Sequence, residues 1–285
     1  MTTLFTDKDG NAYDAEDVKK VLYQIGAHDC ETLFIHSDIM FGTVPHDFNR
    51  KEYLSILSDV ICSLGIRNII VPTFTYSFCN HEDYDVCKSR TSMGALNEFI
   101  RKLQGRYRTE DPLLSLSVPE NLKNQFSVTG NHSLGEGSGL DILHHMDGVK
   151  FLFFGARQGE CFTYLHYVEK MLDVPYRFDM PFDGYVIGYE GERYKKTQYI
   201  HTHCKGVKIP PNYNYFEDEL IETGKVQKRR LADSYVSCLG EKDAYEQITE
   251  RIWKDPYYFV ESPYTEQDLV HEYGFGHNGE KITHC

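Results

Sequence analysis

One stretch of the chain limits the fold more than any other: two short apolar strands with a single amphipathic helix between them. Thr32 to Ile35 is apolar and runs into the polar turn His36-Ser37-Asp38. Lys51 to Leu64 then places Leu54, Leu57, Ile61 and Leu64 at helical spacing and stops at Gly65. Ile66 to Val71 is a second apolar run, with Pro72 where a strand should end. Strand, helix and strand at this spacing predict a right-handed βαβ crossover and a parallel strand pair.

The alternation continues on both sides. Asp14 precedes Val18, Val21, Leu22 and Ile25, with Gly26 behind them: an N-cap, one apolar face and a C-terminal glycine. Ser92 to Leu103 reads as a further helix and Lys150 to Phe154 as a third strand. After Gly155 a helix is expected from about Phe162 to Leu172. Tyr185 to Tyr199 alternates around Glu190-Gly191-Glu192 and predicts a hairpin, and Ala244 to Trp253 a last helix. Arg106 to Gly139, with four glycines and two prolines, reads as a long loop, and such loops are usually functional. No repeat, low-complexity tract or linker interrupts residues 1–285. The expectation is a single α/β domain with a mixed, partly parallel central sheet flanked by helices. Ligands of such sheets bind beyond the carboxyl ends of the strands. Those ends carry His36-Ser37-Asp38, Thr73-Phe74-Thr75 and Gly155-Ala156-Arg157.

Composition narrows the function. No run of apolar residues is long enough to span a membrane, and Met1 to Gly10 carries no apolar run of a signal peptide, so a cytoplasmic protein is expected. The formal charge of −13, from 43 acidic and 30 basic residues, argues against nucleic-acid and acidic-lipid partners. It fits plain solubility first, since net charge does not say where the charge sits, and attraction of cationic small molecules second. The eight cysteines form no CxxC pair, and without a leader they read as free thiols.

The most informative short run is Thr163-Tyr-Leu-His166-Tyr-Val-Glu169-Lys170. On a helix, residues 163, 166, 169 and 170 share one face, while Leu165, Val168 and Leu172 share another. A carboxylate one turn from a histidine can fix its tautomer and raise its basicity, which suits deprotonation of an attacking amine. The same spacing also arises in a plain surface His–Glu pair. His201-Thr-His203-Cys204 offers metal-binding side chains but no second ligand pair, so no metal is expected. His144-His145 is weaker still. Lys225 to Arg230 is a basic cluster that suits a solvated face or a phosphate. Cys161 reads as a buried thiol rather than a nucleophile.

Six segments occur in the order and spacing of one known family: His36-Ser37-Asp38, Val71 to Thr75, Met93 to Leu96, Leu134 to Ser138, Thr163 to Glu169, and Val174-Pro175-Tyr176. Over residues 15–180 the chain resembles the aminoglycoside 3-N-acetyltransferases. The resemblance implies an acetyl-coenzyme A-dependent N-acetyltransferase, with His166 as general base and Glu169 orienting it. It places His36, Ser37, Asp38, Thr73, Phe74, Met93 and Ser115 at the acetyl-coenzyme A pocket. The backbone amides near Ser37 and Asp38 become candidates for holding the thioester oxygen. Direct transfer in a ternary complex would need no metal, and a small-molecule amine is the implied partner; a homodimer is compatible with the family. Members that modify antibiotics carry a histidine before the proline of the loop Arg108-Thr109-Glu110-Asp111-Pro112, where this chain has Asp111. The RTEDP form is similar to relatives associated with sugars and cell-surface polysaccharides. Glu110, Asp111 and Glu136 are then the carboxylates expected to meet a cationic acceptor, either an aminoglycoside or a single amino sugar. An O-acetyltransferase, another small-molecule acyltransferase, and a non-catalytic coenzyme A-binding protein of polysaccharide biosynthesis remain alternatives.

Overall fold

The computed structural model describes residues 2–272. Two short strands, β1 (Phe5–Thr6) and β2 (Ala12–Tyr13), pair at the start, followed by helix α1 (Ala15–Gln24), β3 (Thr32–Ser37), α2 (Arg50–Cys62) and β4 (Asn68–Pro72). Then come β5 (Tyr84–Asp85), α3 (Ala95–Arg101), β6 (Arg106–Arg108), β7 (Leu116–Pro119), α4 (Lys123–Phe126), α5 (Gly139–His144) and β8 (Val149–Phe154). The remainder comprises α6 (Gln158–Cys161), α7 (Tyr164–Met171), β9 (Arg177–Ile187), β10 (Arg193–His203), α8 (Asn214–Glu222), β11 (Gln227–Leu231), β12 (Ser234–Gly240) and α9 (Glu241–Lys254).

A seven-stranded mixed sheet runs in the order β11-β12-β8-β3-β4-β7-β6. Its centre is parallel, with β3 between β8 and β4, and the outer pairs are antiparallel. Side chains alternate across it as the strand repeat requires. Leu33, Ile35, Leu152 and Phe154 face one core with Val18, Leu57 and Leu96 of α1, α2 and α3. Phe34, Phe151 and Phe153 face the other, with Leu140, Tyr164 and Ile248 of α5, α7 and α9. The sheet is thus a middle layer between two sets of helices, and its three parallel strands end side by side at Ser37, Pro72 and Phe154.

The expected long loop is only partly a loop. Arg106 to Gly139 contains β6, β7 and α4. A three-residue strand with two arginines, as in β6, gives no apolar alternation, yet Arg108 is buried and Arg106 partly so. Arg106 donates through Nη1 to the Ile69 carbonyl at 2.7 Å. Arg108, buried, donates to the Thr73 carbonyl at 2.7 Å, to the Ser89 carbonyl at 2.6 Å and to the Thr73 and Ser115 hydroxyls at 3.2 Å each. A guanidinium surrounded by neutral oxygens fixes the end of β4 to β7. The hairpin is also longer than its alternation suggested. β9 and β10 pair over eleven residues each, from Arg177↔His203 to Ile187↔Arg193, and β5 adds a parallel strand. The basic run Lys225 to Arg230 falls largely on edge strand β11; Lys225, just before it, pairs with Asp243 at 2.6 Å, and Lys228 on it with Glu217 at 2.8 Å. All seven described cysteines are free thiols, and Cys285 lies outside the described residues.

Gly155 ends β8 at φ +81°, and a Cβ there would lie 1.8 Å from the Asp38 carbonyl oxygen. Only glycine lets these two strand ends approach so closely. Gly155→Ala is expected to lose about 2–3 kcal/mol of stability in urea unfolding, and wild-type stability in that variant would rule out the close approach.

Candidate active site

The carboxyl ends of the parallel strands open into a cleft of about 690 Å³. Its floor is His36 and Ser37 from β3, Pro72 from β4, and Gly155 beyond β8. Met93 and Gly94 precede α3 and close one side, and Arg50, the first residue of α2, lies on the rim. Asn97 of α3 ties the floor together: its side chain accepts from the Ser37 hydroxyl at 2.9 Å and donates to the Pro72 carbonyl at 3.2 Å. A second cleft of about 280 Å³ adjoins the first, and His36, Met93, Glu160 and Cys161 border both. Its other walls include Phe74, Thr163, His166, Arg177, His203 and Tyr213.

His166 is held by α7, a helix with apolar and polar faces as expected. The polar face, however, is not turned to solvent. Glu169 is fully buried, and it sits between α7 and the start of β9. Its Oε2 accepts from His166 Nδ1 at 2.7 Å and is ion-paired with Arg177 Nε at 2.7 Å, while Oε1 accepts from the Tyr176 hydroxyl at 2.7 Å. Burial alone would raise the Glu169 carboxyl, yet Arg177, His166 and Tyr176 together hold it below the usual range. It is therefore ionised. An ionised carboxylate only accepts, so Nδ1 carries the imidazole proton and Nε2 keeps its lone pair. Burial first, and then the Arg177 charge, push the His166 imidazolium below its ordinary value, against the opposing pull of Glu169. At neutral pH the ring is neutral and can take up a proton. That is the electrostatic state a general base requires.

His36 is held neutral more firmly. Burial pushes its pKa down to about 3, and its ring stacks on Phe153 at 5.3 Å. Cys161 donates its thiol to the Arg157 carbonyl at 3.1 Å, and burial raises it far above the usual thiol range. It is a neutral thiol beside both clefts, not a thiolate.

A family model described as aminoglycoside 3-N-acetyltransferase matches residues 42–251. The chain belongs to this family. None of the curated proteins matches it by sequence. Among solved structures, aminoglycoside acetyltransferase AAC(3)-IIb is similar at 15% identity and TM-score 0.71, covering 85% of this chain and 97% of that one. The YokD protein from Bacillus subtilis is similar at 15% identity and TM-score 0.69, covering 90% and 96%. A structure titled AAC-IIIb binary with CoASH is similar at 17% identity and TM-score 0.67, covering 88% and 99%. At such identities the structures establish a shared fold. The chain is accordingly a member of a family of acetyl-coenzyme A-dependent N-acetyltransferases.

Within that family frame, the residues singled out from sequence separate into three groups. His36, Ser37, Asp38, Phe74, Met93 and His166 border one or both clefts, and Glu169 supports His166 from behind. Thr73 and Ser115 do not border the clefts. They are fully buried, joined by a hydroxyl contact of 3.1 Å, and spent on Arg108. Glu110, Asp111 and Glu136 border neither cleft. Glu110 accepts from the Tyr194 hydroxyl. Asp111 is buried and accepts from the Leu113 and Leu114 amides at 2.8 and 2.9 Å and from the Ser133 hydroxyl at 2.9 Å. Glu136 is exposed on a loop. The Asp38 amide is also unavailable to a thioester oxygen, because it donates to the Phe154 carbonyl at 2.9 Å. His201 pairs with Asp179 at 3.0 Å, and His144 with Glu241 at 2.7 Å. Among the described residues, no group of three or more His, Cys, Asp or Glu is placed to hold a metal.

Arg177, Tyr176 and Asn97 were missed from sequence. Only Tyr176 had a signal, as the last residue of Val174-Pro175-Tyr176. If His166 is the group that takes the proton, its depressed imidazolium puts the acid limb of kcat/KM below the ordinary histidine value of about 6.5. Arg177→Gln removes a repelling cation and should move that limb to higher pH. A limb that stays in place would mean that Arg177 does not set the charge state of the ring.

Proposed function

We propose that this chain transfers the acetyl group of acetyl-coenzyme A, bound in the larger cleft, to an amine bound in the smaller one, with His166 as general base. The observation that carries this reading is the neutral imidazole of His166, oriented by a buried carboxylate and bordering a cleft that shares a wall with the strand-end cleft. The amine nitrogen attacks the thioester carbonyl carbon, and the carbonyl electrons move to oxygen. The C–N bond forms, the C–S bond breaks, and coenzyme A departs as a thiolate, a good leaving group. His166 Nε2 takes the amine proton, which is later released to the thiolate or to water. Atoms and charge balance in a direct transfer with both substrates bound. Glu169 steadies the imidazolium that forms, and Tyr176 and Arg177 keep Glu169 ionised.

The larger cleft suits the cofactor by shape and chemistry. It opens at the ends of parallel strands, and Arg50 sits exposed on its rim, where the coenzyme phosphates can meet it. Amine transfer is favoured over transfer to an alcohol because a base with a depressed pKa suffices for an amine, whose attack generates an acidic ammonium.

Two measurements test the reading. His166→Ala should lower kcat by about 10²–10⁴-fold while acetyl-coenzyme A binds within about threefold of wild type. Unchanged turnover would remove His166 from the mechanism, and thiol release with alcohols alone would overturn N-transfer. Arg50→Ala should raise KM for acetyl-coenzyme A about fivefold and leave that for S-acetylpantetheine, which lacks the nucleotide phosphates, unaltered. Equal effects on both donors would place the phosphates elsewhere.

A further inference from the structure

The smaller cleft is almost without charge, although the chain as a whole carries −13. Among the described side chains that line it, only Glu160 and Arg177 are formally charged, and Arg177 is already paired with Glu169. Its three histidines, His36, His166 and His203, are all pushed below their ordinary values, first of all by burial. The three carboxylates that sequence offered to a cation are elsewhere: Glu110 with Tyr194, Asp111 on backbone amides, Glu136 on an exposed loop. The volume of about 280 Å³ lies at the small end of the roughly 300–1,000 Å³ typical of clefts for drug-sized ligands. The walls are flat and apolar in large part, with the rings of Phe74, Tyr76 and Tyr213 and the pair Pro210-Pro211, and Thr163 and Asn212 supply polar groups.

From these observations we infer that the acceptor is a single-amine sugar, one ring in size and otherwise uncharged, and that polycationic aminoglycosides are poor substrates. The inference rests on the acetyl-transfer reading above and specifies its acceptor. Each ammonium group of a polycation that leaves water must find an anion or an acceptor inside, or its desolvation is uncompensated. This cleft supplies one exposed carboxylate. The overall negative charge draws cations toward the whole surface without holding them here. For a single amine the neutral walls work the other way. In a wall with so little anionic charge, desolvation favours the free amine over the ammonium, and the free amine is the nucleophile. Aromatic and proline faces suit the C–H face of a sugar ring, while Thr163 and Asn212 can meet its hydroxyls.

The test is steady-state thiol release from acetyl-coenzyme A by the full chain, with a panel of monoamino hexoses against gentamicin- and sisomicin-type aminoglycosides. The expected result is kcat/KM higher by about tenfold or more for at least one monoamino sugar. An aminoglycoside used as well as or better than every monoamino sugar overturns the inference and leaves acetyl transfer standing. No thiol release with any amine means that the acetyl-transfer reading itself is wrong, and this inference falls with it. Asn212→Asp places a carboxylate in the wall and retains an acceptor oxygen for the Asn214 amide, now bonded at 3.2 Å. It should narrow the preference by several-fold in favour of aminoglycosides. A ratio that does not move in this variant overturns cleft charge as the basis of selection.

Discussion

A buried carboxylate is the constraint on which the candidate site depends. Removing Glu169 from water costs several kcal/mol unless its oxygens are fully met, and three neighbours meet them. Two of these, Tyr176 and Arg177, lie where the chain leaves α7 and enters β9, so the turn after the helix and the start of the hairpin are bound into the same cluster. The third is His166. The ring is therefore fixed by the same contacts that dock α7 against the hairpin. Orientation of the imidazole and local folding are one energetic event.

The two clefts inherit different parts of the architecture. The larger cleft is made by the sheet itself, at the ends of β3, β4 and β8, where Asn97 and Gly155 regulate how closely the strands approach. The smaller cleft is made by what packs over the sheet: the α6–α7 region, β9 and β10, and the segment around Pro210 to Tyr213. Substitutions in that covering layer can reshape the smaller cleft while the sheet ends remain as they are.

Much of this was legible in the residues. The apolar strands β3, β4 and β8 and the helices α1, α2 and α9 follow their periodicity, because each buries an apolar face against a sheet that itself is buried on both sides. The His166–Glu169 pair was legible as spacing, but its burial was not. Helical spacing states which residues share a face, not what that face meets. Arg177 escaped notice because its role arises from a neighbour in space at the start of a strand. The strand β6 was hidden for a related reason: Arg106 and Arg108 fell within a stretch that read as a loop, whereas carbonyl oxygens of β4, β7 and nearby turns meet them. Thr73 and Ser115, assigned to the cofactor by resemblance, belong to that same buried group.

Asp111 shows what such a buried position implies for reading differences between relatives. Its carboxylate is occupied by two amides and a hydroxyl within its own fold. In this chain Asp111 is therefore part of how a turn is tied, and any influence it has on a ligand must pass through the path of the backbone it holds. A carboxylate already saturated by its own loop belongs to the architecture of the fold before it can belong to the recognition of a cargo.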